Sequence, residues 1–187
     1  MKKKFINCWL IICLLSIGIS SCRKNRGEGN EEEILTTLTI TFIPTGGGSA
    51  LVYSYDDADG PGGANPIQDE IVLTANKNYN VSLTLMNKTT NPDTDITSEI
   101  ISEPDAHRFY YEPSASSNIM VSNLDNDPDG IPLGISGTWT TTAPASGTMR
   151  ITLRHYPGNP SNKATADPVN SSKSATDIEV TFVTKVQ

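Results

Sequence analysis

The chain has 187 residues, with 14 basic and 21 acidic side chains and a formal net charge of −7 at pH 7. That balance excludes nucleic acid as a partner, because phosphate recognition needs a positive face. All three cysteines fall within the first 22 residues, so the rest of the chain cannot carry a disulfide framework.

Lys2, Lys3 and Lys4 open the chain, residues 5–19 are almost wholly apolar, and Ser20 and Ser21 precede Cys22. This is the basic, apolar and small-residue order of a secretory signal peptide, expected over residues 1–21. The apolar stretch is shorter than the ~20 residues a spanning helix needs. Ile19, Ser20, Ser21 and Cys22 also match the bacterial lipobox. Cys22 is therefore the expected lipidation site, with a diacylglyceryl group on its sulfur and a further acyl chain, such as palmitate, on its freed amine. Several chains make a stable anchor, since each buried methylene contributes about 0.8 kcal/mol. Arg23 follows the cysteine where an aspartate would mark inner-membrane retention. The expected location is thus the outer membrane, with the periplasmic and cell-surface faces both open. Removal of residues 1–21 leaves 11 basic against 21 acidic side chains, a net charge of −10. Such a surface suits cations or a basic partner.

Residues 22–34 are polar, charged and glycine-containing, the composition of a flexible tether. From Leu35 the pattern becomes a period-two alternation. Leu38, Ile40 and Phe42, then Val81, Leu83 and Leu85, then Met149, Ile151 and Leu153, and finally Ile178, Val180 and Phe182 each share one face. Clusters of Gly, Pro, Asn, Asp and Ser separate these runs. Residues 35–187 are expected to form one all-β domain, an antiparallel sandwich of about nine strands. Those strands start near Leu35, Leu51, Gln68, Tyr79, His107, Ile119, Ile135, Thr148 and Asp177. One short helix is predicted over 95–103, where Pro104 stops it.

Displaced by 70 residues, Asp57, Asp59, Gly60 and Leu83 fall on Asp127, Asp129, Gly130 and Leu153. Displaced by 69, Leu38, Ile40 and Phe42 fall on His107, Phe109 and Tyr111. The spacing predicts an internal duplication with units over 35–93 and 105–160 and a final strand over 177–185. With consecutive strands antiparallel, alternate loops gather at opposite ends of the sandwich. One end receives the loops 56–63, 87–106, 125–132 and 156–176, which are rich in Asp and Glu. The loops of the other end hold no acidic residue.

Two groups carry potential metal chemistry. Asp125, Asp127 and Asp129 alternate before Gly130, as at the start of a calcium loop, where alternate oxygens converge on a hard cation. Asp57 and Asp59 before Gly60 are the repeat mate. The EF-hand's glutamate is absent, since Ser136 stands there, and so are its flanking helices. Two readings remain, a turn built from good turn residues and a weak calcium site. Glu103, Asp105, His107 and His155 fall at the acidic end and are candidate ligands for zinc or another transition metal. No nucleophile elbow and no phosphate-binding glycine loop is present, so no enzymatic activity is expected. The function expected is capture of a cation or small ligand; the alternative is a structural or adhesive sandwich whose acids keep it soluble.

The runs Glu31–Phe42 and 56–63, Leu83-Thr84-Leu85-Met86-Asn87, Asp95-Ile96-Thr97-Ser98-Glu99-Ile100 and Asp105-Ala106-His107-Arg108-Phe109-Tyr110-Tyr111 resemble a group of small Bacteroidota outer-membrane lipoproteins. The likeness covers nearly all of the chain after Cys22. It implies a companion of TonB-dependent receptors that binds or hands over a nutrient, including a metal. Such proteins often bear the label "type 1 periplasmic binding fold", which names two α/β lobes; the strand periodicity here specifies an all-β domain instead.

Overall fold

The computed structural model describes residues 34–187. The signal peptide over 1–21, the lipidation site Cys22 and the tether up to residue 33 lie outside the described residues. Eleven strands and one helix follow in order. They are β1 (Thr37–Pro44), β2 (Leu51–Asp56), β3 (Ile67–Gln68), β4 (Ile71–Leu73), β5 (Asn78–Asn87), β6 (Thr94–Asp95), α1 (Thr97–Ser102), β7 (His107–Pro113), β8 (Ile119–Ser122), β9 (Ser136–Thr141), β10 (Ala145–His155) and β11 (Ala175–Val186). The larger sheet runs β3-β2-β1-β5-β9-β8, with β6 beside β5; the smaller runs β4-β11-β10-β7. This is the all-β sandwich the alternation specifies.

The inward faces are the predicted ones. Leu38, Ile40 and Phe42 of β1, Leu83 and Leu85 of β5, Met149, Ile151 and Leu153 of β10, and Val180 and Phe182 of β11 are all buried. Each such side chain contributes roughly 1.5–3 kcal/mol by leaving water. Phe42 lies at the centre, with edge-to-face rings of Tyr53, Tyr79 and Trp139 at 5.8, 5.9 and 5.1 Å. Gly47, at φ 86, turns the chain out of β1 where a side chain would be strained. Among the described residues no helix is long and apolar enough to cross a membrane.

Two features depart from the expected strand list. The strand near Gln68 is split: β3 pairs with β2 in the larger sheet, whereas β4 crosses to pair in parallel with β11 in the smaller one. The short β6 adds an unforeseen pairing beside β5. The helix falls within its predicted span, with Ile100 buried beneath it.

The duplication is half visible in the topology. Ile40 pairs with Leu83 and Phe42 with Val81 across β1 and β5. Their repeat mates pair in the same register across β7 and β10, Phe109 with Leu153 and Tyr111 with Ile151. The inner strands diverge. β2 forms a hairpin with β1, whereas β8 pairs with β9 in the other sheet from β7. Each unit also lends a strand to the opposite sheet, β4 to the smaller and β9 to the larger. The two units therefore interlock around one core.

Candidate functional site

Strand register brings the acidic loops to one end. Thr37 of β1 pairs with both Asp56 and Met86, and Ser82 with Ser136, which sets the loops after β2, after β5 and before β9 side by side. The segment after the 125–130 loop then crosses between sheets. Leu83 N donates to Ile135 O at 2.9 Å in the larger sheet, and Phe109 N to Leu133 O at 2.7 Å in the smaller. His107 and His155, paired across β7 and β10, open onto the same end.

The 125–130 loop is a turn whose carboxylates are met by backbone amides and by a lysine from another loop. Asp125 Oδ1 accepts from Ser136 N at 2.7 Å. Asp127 Oδ1 accepts from Asp129 N at 3.0 Å and Ile131 N at 2.8 Å. Its Oδ2 meets the Lys163 ammonium at 2.8 Å, with both side chains only 1% exposed. Lys163 and the backbone amides hold the Asp127 carboxyl below its usual range against the opposing effect of burial, its largest influence. One Asp125 oxygen and both Asp127 oxygens are thus engaged by the protein's own donors. The mate loop is independent: Asp59 Oδ2 accepts from Ala64 N at 2.8 Å on the surface, and Asp57 N donates to Thr36 O. Asp57, Asp59, Asp125, Asp127 and Asp129 do not converge on a common point.

The histidines do converge, with a different carboxylate. Among the described residues one group of metal-ligating side chains clusters, namely His107, His155 and Asp177, with one ligand atom from each within 4.8 Å of the others. The rings of His107 and His155 lie 4.9 Å apart, tilted by 56°. Glu103 and Asp105, the predicted carboxylates, stand aside. Pro104 breaks the helical register that would have aligned Glu103, so this residue offers His107 its backbone carbonyl instead.

Three adjacent strands present the cluster. His107 begins β7 and His155 ends β10, where the two are paired. On the other side of β10, Leu153 pairs with Ile178 but Arg154 with Thr176. Asp177 is the extra residue of this bulge. A bulge re-aims a side chain that strict alternation would place elsewhere, and here it delivers the carboxylate to the histidines.

The protonation of His107 follows from its contacts. Nδ1 lies 3.0 Å from Glu103 O, an acceptor only, so Nδ1 carries the hydrogen and donates it. Nε2 is then a lone-pair donor, buried and without a hydrogen-bond partner; His155 Nδ1 is likewise buried without one. Burial lowers the His107 pKa to about 4, assisted by His155 and Lys163 and opposed by the Glu103 carbonyl. The ring is neutral at pH 7. Two imidazoles and a carboxylate suit a first-row transition metal, whereas calcium and magnesium take oxygen ligands. The Nδ1 contact fixes the ring orientation, as outer-shell bonds do for metal-binding histidines.

No family model, no curated protein and no solved structure matches the chain.

The loop 156–174 closes over this end. Tyr156 N donates to Ala106 O at 2.7 Å, and Arg108 Nη1 to Ala164 O at 2.9 Å. Arg154 Nη2 donates to Ser171 O at 3.0 Å, and Tyr110 and Tyr156 share a 2.7 Å hydroxyl contact. A loop this long without strands of its own is uncommon unless it carries function. Sequence reasoning missed Asp177 and Lys163. The first was visible as an acid opening the last predicted strand at the acidic end; nothing local marked the second.

Proposed function

We propose that this chain is a lipid-anchored outer-membrane protein that captures a transition-metal ion through His107, His155 and Asp177, and presents it to an outer-membrane receptor. The observation that carries the reading is the pair of buried, unpartnered imidazole nitrogens beside a carboxylate delivered by a bulge. An unpaired buried nitrogen costs free energy unless something fills its place. The anchor rests on the Ile19-Ser20-Ser21-Cys22 motif and the receptor on the sequence resemblance. With three protein ligands, coordination positions remain for water or for a recipient, which suits binding and release. We assign no catalytic role.

The test is a thermal melt of the full-length protein with Zn²⁺, Co²⁺, Ca²⁺ and a chelator. At a hundred-fold excess over Kd, a site-filling ion raises the midpoint by about 5–10 °C. Zinc and cobalt are expected to do so and calcium is not, and His155→Ala should abolish the shift. If no ion moves the wild-type midpoint, the metal reading fails and the structural or adhesive module takes its place.

A further inference from the structure

Lys163 is a buried cation outside the metal-ligand set. Its three N–H donors meet three oxygens: Asp127 Oδ2 at 2.8 Å, Pro104 O at 2.6 Å and His107 O at 2.9 Å. An ammonium has three donors and no acceptor, so the set is complete. Two of the oxygens belong to the turn that delivers His107, and the third belongs to the loop whose alternating acids resemble a calcium site.

We propose that Lys163 is a positioning residue for the metal centre, its tethered ammonium filling the cation place of the 125–130 loop and fixing His107 toward His155 and Asp177. The proposal rests on metal binding at that triad. Glu103 O grips the ring at Nδ1, and Lys163 grips the backbone at the His107 carbonyl, so both ends of the residue are held. The segment carrying Lys163 is itself laid along 105–108. Ser161 Oγ donates to Asp105 O at 2.5 Å, and Arg108 donates to Ala164 O. Stability alone gives no reason for the arrangement, because apolar side chains of similar volume often replace a buried ion pair at no loss. Apolar replacements cannot supply three directed hydrogen bonds. Those bonds join two loops to the first residue of β7, and they set where His107 stands.

The test compares wild type with Lys163→Met and with Lys163→Met/Asp127→Leu, which leaves no unpaired buried charge. In metal-free full-length protein, nitrogen-resolved NMR of the imidazoles is expected to show His107 as a single Nδ1–H tautomer in wild type and as an exchanging pair in both variants. Cobalt affinity, followed by its visible absorption, is expected to fall on the order of ten- to a hundred-fold, with a changed spectrum. Ser161→Ala, a milder lesion of the same segment, should move both readouts in the same direction. A folded double variant that keeps the wild-type tautomer and cobalt affinity would show Lys163 to be a core ion pair only and overturn the proposal. Failure of wild type to bind cobalt or zinc overturns the metal reading instead, and the NMR comparison then decides by itself whether Lys163 orients His107.

Discussion

Burial removes the His107 ring from water while Glu103 accepts its Nδ1 hydrogen, so the fold holds the neutral imidazole. The groups facing it are His155, Lys163, Asp105 and Asp177, and the net shift is downward to about 4 from 6.5. Between those values the unfolded chain binds a proton that the folded chain refuses. Stability is therefore full above about pH 6.5, falls as pH drops toward 4, and flattens below, with a loss of a few kcal/mol. Urea midpoints at several pH values check this, and His107→Asn should flatten the slope within that window. The carboxyls held low, Asp56, Asp95, Asp127 and Asp167, release their stability only below the ordinary carboxylate value of 3.8, outside it. On the proposed metal reading, zinc would compete with the same proton, and its affinity should fall over the same range.

Strands decide which of these residues meet. The bulge between β10 and β11 sets Asp177 out of the alternation that continues at Ile178, Val180 and Phe182. Asp177→Asn is expected to cost zinc affinity at least as much as the ~10–100-fold of an outer-shell loss, measured by titration against a chromophoric chelator. The same strand anchors the core. Phe182→Ala should destabilise by about 3–5 kcal/mol in chemical denaturation, through lost burial and a residual cavity. Val183, its exposed neighbour, should tolerate serine within about 0.5 kcal/mol. A one-residue step along β11 thus separates a severe effect from a mild one, because strand side chains alternate faces.

The whole molecule separates an acidic, histidine-bearing end from an end built of Gly, Ala, Ser and Thr turns, and its expected anchor lies beyond the β domain. Cys22→Ser should release the protein from the membrane fraction while leaving its thermal midpoint unchanged; fractionation and a melt of the released protein check both. Much of this plan was legible in the residues. Alternation is a local property, so Leu38-Ile40-Phe42 and Ile178-Val180-Phe182 revealed strands and inward faces, and the parity of antiparallel strands revealed which loops share an end. His107 and His155 were legible for the same reason, each sitting at a strand terminus of that end. The calcium-like spacing of Asp125, Asp127 and Asp129 was legible too, but not that a lysine 36 residues beyond Asp127 would occupy its oxygen. Tertiary structure alone decided the partners: that β4 crosses to the other sheet, that Asp177 rather than Glu103 joins the histidines, and that Lys163 binds Asp127 and the His107 carbonyl. The physical reason is that strand pairing, a bulge and a buried ion pair depend on which distant segments lie adjacent. That adjacency is set by closing one shared core, and no local pattern encodes it.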